Sequence, residues 1–246
     1  MNYAIISDIH SNYDALSAVL ADILRSRVDR VICLGDIVGY GAEPQKCLEA
    51  VKGLTTWTVA GNHDYAAIGK MPLSFFNINA RRAAEWTATV LSPAERRYLA
   101  ALPLQRHISA GDHELVAVHS TPSRPEEWHY ILSIDEAEYQ FEQFPQPVCL
   151  IGHSHQPVFW QLSAKGECSI VGKEYLRLER NRRYIINCGS VGQPRDGDPR
   201  TAYAILDPEE QTLLHYRLEY DIPATQAKMD DAGLPPRLIT RLSYGW

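Results

Sequence analysis

Three short apolar runs in the first 64 residues each break off at a cluster of Asp, Asn and His. That arrangement constrains the fold more than any other feature of the sequence. Tyr3 to Ile6 ends at Ser7, Asp8 and His10, Val31 to Leu34 ends at Gly35 and Asp36, and Thr55 to Ala60 ends at Gly61, Asn62, His63 and Asp64. Runs this short, apolar and β-rich read as buried strands. After the first, Asn12 is placed to cap a helix in which Leu16, Val19, Leu20, Ile23 and Leu24 recur at helical spacing. A second helix is expected near Pro44 to Val51. The resulting β-α-β-α-β order predicts a sheet that begins parallel, with helices on its outer face. Open sheets of that kind collect ligands beyond the carboxyl ends of their strands, where these polar clusters sit.

The rest of the chain repeats the strand-then-polar pattern. Leu115 to Val118 precedes His119, Val148 to Ile151 precedes Gly152, His153 and His155, and Tyr184 to Ile186 precedes Asn187. Val158 to Leu162, Thr201 to Leu206 and Thr212 to Leu218 lack long helices between them and are expected to be antiparallel. The segment from about 75 to 102 reads as helical, with Ser92 and Glu95 at capping-box spacing, either covering a site or packing outside the sheet. A further short helix is expected around Thr225 to Asp231. With no linker or repeat in view, residues 1–246 are expected to form one domain.

Composition excludes several classes. The 246 residues are 45% hydrophobic and 22% charged, enough for a packed core. A net charge of -6 without long basic runs argues against stable nucleic-acid binding. The start Met1-Asn2-Tyr3 has no signal-peptide character, and no run of about 18 or more apolar residues is present, so a cytoplasmic protein that does not bind membranes is expected. Five scattered cysteines without a CxxC pair, Cys33, Cys47, Cys149, Cys168 and Cys188, read as free thiols.

The chemistry lies in the set of clustered residues. Asp8 and His10, two apart on an extended segment, can face one ion. With Asp36, Asn62, His119, His153 and His155 they make seven N and O donors, more than one tetrahedral site uses and suited to two ions sharing a bridging group. Asp36 is the candidate bridge. Two divalent ions, two carboxylates and one hydroxide leave a formal positive charge that attracts a phosphate ester. Manganese is expected, and a donor set without thiolate also admits iron, zinc, nickel or cobalt. His107, His113, His129 and His215 lack such context. His63 belongs to the cluster with its ligand role open.

The ordered blocks Asp8-Ile9-His10, Gly35-Asp36, Gly61-Asn62-His63-Asp64, His119 and Gly152-His153-Ser154-His155 resemble the signature motifs of the calcineurin-like metallophosphoesterases. Asn187 to Arg195 resembles the prokaryotic phosphodiesterase branch, with Cys188 where Pro is usual; Ser120 stands where Gly usually follows the histidine. The resemblance implies an α/β fold, a four-layer α-β-β-α sandwich of two mixed sheets. It implies one metal held by Asp8, His10, Asp36 and His155, a second held by Asp36, Asn62, His119 and His153, and His63 as general acid oriented by Asp64. The activity implied is hydrolysis of phosphodiester or nucleotide-derived phosphate esters by a bridging hydroxide attacking in line. Dinucleoside polyphosphate hydrolysis, phosphomonoester hydrolysis and a non-catalytic protein-binding scaffold are the alternatives.

Other residues admit two readings. Arg195 could pair with a phosphate oxygen or form a salt bridge to Asp196 or Asp198. Gly39-Tyr40-Gly41 follows Asp36 closely enough to line a pocket, or is a simple turn. Arg81 and Arg82 read as a solvated helix face, and Trp57, Trp86, Trp128 and Trp160 as packing.

Overall fold

A computed structural model describes residues 1–111 and 113–246. Eleven strands form among these residues: β1 Tyr3–Ile6, β2 Arg30–Cys33, β3 Gln105–Ala110, β4 His113–Val118, β5 Val148–Ile151, β6 Val158–Leu162, β7 Cys168–Gly172, β8 Tyr175–Arg177, β9 Arg183–Asn187, β10 Thr201–Asp207 and β11 Thr212–Leu218. The helices are α1 Tyr13–Arg25, α2 Pro44–Leu54, α3 Asn62–Ala67, α4 Ile78–Val90, α5 Pro93–Ala101, α6 Ile134–Phe141, α7 Ile222–Asp231 and α8 Pro236–Thr240.

The strands divide into two mixed sheets, ordered β2-β1-β10-β11-β8 and β3-β4-β5-β9-β6-β7. In the first, β1 runs parallel to β2, with Ile6 opposite Cys33, and antiparallel to β10. In the second, β5 lies parallel to both β4 and β9. The polar clusters after β1, β2, β4 and β5 therefore emerge at neighbouring strand ends, and the expected antiparallel setting of β6, β10 and β11 is present.

Strand alternation divides the core into layers. Tyr3, Ile5, Ile32 and Leu34 point inward and meet Leu115, Leu150, Phe159 and Ile186 of the opposite sheet. Ala4, Ile6, Val31 and Cys33 point outward against Leu16 and Val19 of α1 and Leu48 and Val51 of α2. On the far side Val116, Cys149, Trp160 and Ile185 pack under Ala137 and Phe141 of α6. Four layers, α-β-β-α, follow because both faces of each sheet are apolar and each needs a cover.

Local signals held where the chain caps itself. The Asn12 side chain accepts from the Ala15 N–H at 3.1 Å, and Ser92 and Glu95 exchange both capping bonds. Leu24, counted on the apolar face of α1, instead points to solvent at 81% exposure. The expected third strand, Thr55 to Ala60, contracts to one parallel bridge between Cys33 and Thr58. It leaves the sheet because the Ala60 N–H donates to the Pro103 carbonyl at 2.8 Å instead of continuing the ladder. Ala80 and Ala83 of α4 pack with Tyr40, Met229 and Leu238 in a satellite cluster beside the strand ends. No helix among the described residues is long and apolar enough to cross a membrane.

Candidate metal centre and its pocket

All seven candidate donor residues converge at the strand ends, and all are buried. Five of them, Asp8, His10, Asp36, His153 and His155, have φ between 50° and 67°, the left-handed region that non-glycine residues enter at a cost of ~1–3 kcal/mol each. Backbone bonds hold the strain in place. Asp8 N–H donates to the Gly35 carbonyl at 3.1 Å, His10 N–H to the Asp36 carbonyl at 2.9 Å, and Gly192 N–H to the Asp8 carbonyl at 2.9 Å. Two glycines allow the elements to approach this closely. A Cβ on Gly61 would lie 2.0 Å from Asp36 Oδ1, and one on Gly152 would lie 2.0 Å from Ser7 Oγ.

Each carboxylate is anchored by one oxygen and presents the other. Asp8 Oδ2 accepts from Ser7 Oγ at 2.7 Å and His153 N–H at 3.0 Å, while its Oδ1 has no hydrogen bond and faces His155 Nε2 at 3.2 Å. Asp36 Oδ1 accepts from His63 N–H at 2.8 Å. Its unbonded Oδ2 faces His119 Nε2 at 3.3 Å and His10 Nε2 at 3.5 Å. A single oxygen, Asp36 Oδ2, thus faces histidines of two donor groups.

Backbone carbonyls fix the imidazole tautomers, since a carbonyl can only accept. His119 Nδ1 lies 2.7 Å from the Leu34 carbonyl and His155 Nδ1 2.5 Å from the Gln193 carbonyl, so each donates there and keeps its lone pair on Nε2. His153 donates from Nε2 to the Trp128 carbonyl at 2.8 Å, leaving the lone pair on Nδ1. His10 Nε2 sits 3.1 Å from His155 Nε2. Asn62 Oδ1 is 3.2 Å from His119 Nε2.

Donor atoms in such contact, with two orphaned carboxylate oxygens buried among them, need a positive charge between them. The titration tendencies agree. Burial opposes protonation of His119, yet the Asp36 and Asp8 charges outweigh it and raise the imidazole to about 9. Both carboxyls, despite burial, are held below their ordinary range, Asp8 by His155 and His119, and Asp36 by His119 and His63. The donor set fits divalent cations. Three groups lie close enough to hold one: Asp8, His10 and His155; Asp36, His119 and His153; and His10, Asp36 and His63.

His63 lies at the N-terminus of α3, a helix beyond those expected from the sequence pattern. Its ring meets Tyr40 at 4.3 Å, Phe76 at 4.7 Å and His10 at 4.8 Å, and its Nδ1 has no partner. The expected support from Asp64 takes a different form. Asp64 accepts from the N–H groups of Val38 at 3.1 Å and Gly61 at 2.9 Å, fixing the loop that carries His63 and not the ring itself. Burial and the Asp36 charge push Asp64 up to about 7 against those donors. Burial lowers His63 to about 4, with Arg195 adding to the effect.

The centre opens into a cavity of about 1380 Å³ lined by Asn62, His63, His153, Tyr40 and Arg195. Of the two readings for Gly39-Tyr40-Gly41, the pocket wall is the one realised. Arg195 forms no salt bridge to Asp196 or Asp198, which pair instead with Arg217 and Arg200. Its Nη2 reaches Gln193 Oε1 at 3.1 Å and Tyr40 Oη at 3.3 Å, while its buried Nε is unpartnered.

Sequence reasoning missed Trp128 and Tyr130. Trp128, expected only to pack, uses its carbonyl to orient His153, and Tyr130 stacks on that imidazole at 4.1 Å. Neither carries a local signal. His129 pairs with Glu127, His107 bonds to Gln105 and Gln146, and His215 bonds to the Cys188 carbonyl, all away from the donor set; the His113 side chain lies outside the described residues. The segment resembling the phosphodiesterase branch braces the centre from behind. Asn187 donates to the Gly152 carbonyl at 2.6 Å, and Ser190 Oγ donates to the Asp8 carbonyl at 2.8 Å.

Comparison with known proteins decides the family. The profile of the Calcineurin-like phosphoesterase superfamily domain matches residues 1–211. The chain belongs to the calcineurin-like phosphoesterase superfamily. A metallophosphoesterase from Sphaerobacter thermophilus is 43% identical, with a TM-score of 0.86 over 100% of this chain and 99% of that one. An uncharacterised protein of Methanocaldococcus jannaschii is 38% identical over 98% of this chain and 97% of its own. A hypothetical protein from Pyrococcus horikoshii shares the fold, with a TM-score of 0.82 over 100% of this chain and 98% of that one at 20% identity. Membership of this phosphoesterase superfamily supports a hydrolase, and the clustered His and Asp residues supply candidate metal-binding groups.

Proposed function

We propose that the protein is a two-metal phosphoesterase that hydrolyses phosphodiesters or nucleotide-derived phosphate esters. The observation that carries this reading is Asp36 Oδ2, buried, unbonded and shared between His10 on one side and His119 on the other. Asp8, His10, Asp36 and His155 would hold one divalent ion, and Asp36, Asn62, His119 and His153 the other. Bound there, such ions supply Lewis acidity toward phosphoryl oxygens and make water nucleophilic at neutral pH.

The chain's own residues do the rest. Arg195, braced by Gln193 and Tyr40, lines the cavity beside the donor cluster, where its guanidinium would pair with a phosphate oxygen. His63 stands on the pocket wall as the proton donor to the departing oxygen. Its depressed pKa leaves the ring neutral in the free protein, and an arriving phosphate anion raises it by favouring the charged form. Tyr130 and Trp128 shield His153 from solvent and hold its ring at one angle. Burial of every donor keeps bulk water from competing.

The test uses metal-stripped protein reloaded with manganese and given matched chromogenic diester and monoester phosphates, with Asp36→Ala as control. Diester turnover that follows metal content and vanishes in the control supports the reading. A protein that binds two metals yet turns over neither ester would shift weight to a protein-binding scaffold.

A further inference from the structure

The wall of the cavity beyond the donor cluster carries more cationic than anionic side chains. Arg195, Arg237 and Arg241 all line it; among the described residues none of the three pairs with an Asp or Glu side chain, and Arg241 Nε donates to the Trp246 main-chain oxygen. The other charged residues on the same wall do not serve them. Glu127 is already bonded to Arg124 at 2.8 Å and to His129 at 2.8 Å, and Glu126 forms no ion pair with any of the three. The arginines also sense one another: burial first, and then the Arg195 and Arg237 charges, lower Arg241 to about 10. A net acidic chain that gathers three guanidiniums in one cavity, none of them bonded to a carboxylate side chain, incurs a repulsion that an anionic ligand would reduce.

The same wall is also apolar and exposed. Phe75 is 77% exposed, Ile78 60%, Trp246 63% and Tyr130 44%, and all four border this one cavity. Exposed large side chains gathered in one concavity mark a surface that is covered in use. Ring faces beside guanidinium groups suit a flat heteroaromatic joined to phosphate.

Resting on the phosphoesterase reading above, we infer that Arg237 and Arg241, beyond Arg195, form a subsite for a second, non-reacting phosphate, so that the preferred ligand is an aromatic nucleoside carrying two or more linked phosphates. A lone phosphate ester would satisfy Arg195 and leave Arg237 and Arg241 without an anionic ligand. A nucleoside diphosphate or longer chain reaches them, while its base covers Phe75, Ile78 and Trp246.

The experiment is calorimetric binding to the purified protein of three probes: AMP, the non-hydrolysable α,β-methylene analogue of ADP, and inorganic tripolyphosphate. The analogue is expected to bind about ten- to a hundred-fold more tightly than AMP, the gain of one or two charge-assisted contacts. Arg237→Gln and Arg241→Gln should each shrink that ratio, with unchanged circular dichroism showing that the variants fold. Equal binding of AMP and the analogue overturns the subsite. Tripolyphosphate binding as tightly as the analogue overturns the aromatic part. Chromogenic diester hydrolysis on the same preparation separates the two readings. Turnover without a phosphate-number preference removes the subsite alone, whereas the preference without turnover keeps the subsite and removes the phosphoesterase reading.

Discussion

The two ends of the cavity are built on opposite principles. At the metal end, five buried donor residues have left-handed backbone, and Asp8 Oδ1, Asp36 Oδ2 and His10 Nδ1 are buried without a hydrogen-bond partner. At the far end, Phe75, Ile78 and Trp246 stand exposed, and Arg237 and Arg241 pair with no Asp or Glu side chain among the described residues. The metal end stores strain and unsatisfied charge that only a cation at fixed positions relieves. The far end stores exposed apolar area and positive charge, which many ligand shapes can relieve. Chemistry needs the first kind of construction and substrate choice tolerates the second, so substitutions at the two ends should differ in kind as well as in size.

The largest expected effect is at the shared oxygen. Asp36→Ala should remove turnover and bound metal together, read by elemental analysis and ester hydrolysis on one sample; retained metal at full stoichiometry would move the bridge elsewhere. His63→Ala should keep its metals and lose about 10²- to 10⁴-fold on esters with poor leaving groups, and much less on nitrophenyl esters. Loss of metal in that variant would assign His63 to the third donor group, with His10 and Asp36. Arg195→Gln, between the two ends, should raise KM by about ten-fold or more through the missing charge-assisted bond, with a smaller change in kcat. An unchanged KM would return Arg195 to a purely structural role.

Stability should show the same contrast. Gly61→Ala places a methyl against Asp36 Oδ1 and should cost about 1–3 kcal/mol in urea denaturation. Gly69→Ala, in open space with nothing within 4 Å, should show only the smaller cost of its positive φ. Away from the cavity, burial and the Arg217 charge lower His215 to about 4. The unfolded chain therefore binds that proton first, and stability falls as pH drops from about 6.5 toward 4, by up to about 3 kcal/mol from this residue. Comparing urea midpoints of the parent and His215→Gln across that range isolates its share, because acid loosening of the metal-site histidines is common to both. Parallel curves would show that His215 does not titrate there.

Much of the metal end was legible because its information is local. Asp8, Asp36, His119 and His153 each follow directly on an apolar strand, and parallel pairing of β1 with β2 and of β4 with β5 brings those strand ends side by side. Gly61 to Asp64 was legible as a polar cluster but not as the start of α3, since six residues offer too little periodicity to show. The strand expected at Thr55 to Ala60 failed for a related reason: its apolar pattern is real, but Pro103 competes for its backbone at Ala60.

The sequence by itself determined the candidate donor residues, the apolar runs that end beside them and the cap signals, because each depends on residue type and on spacing within one segment. Tertiary structure alone decided that one oxygen of Asp36 serves both donor groups, that Asp64 holds a loop in place of a ring, and which nitrogen each histidine presents. These depend on carbonyls and N–H groups distant along the chain, such as Leu34 for His119, Trp128 for His153 and Gln193 for His155. The arginine wall was likewise invisible in one dimension. Arg195 and Arg241 lie on separate segments with no shared motif, and they meet only because α7 and α8 fold back over Tyr40 and α4, where apolar contacts among Met229, Leu238 and Ala83 hold them.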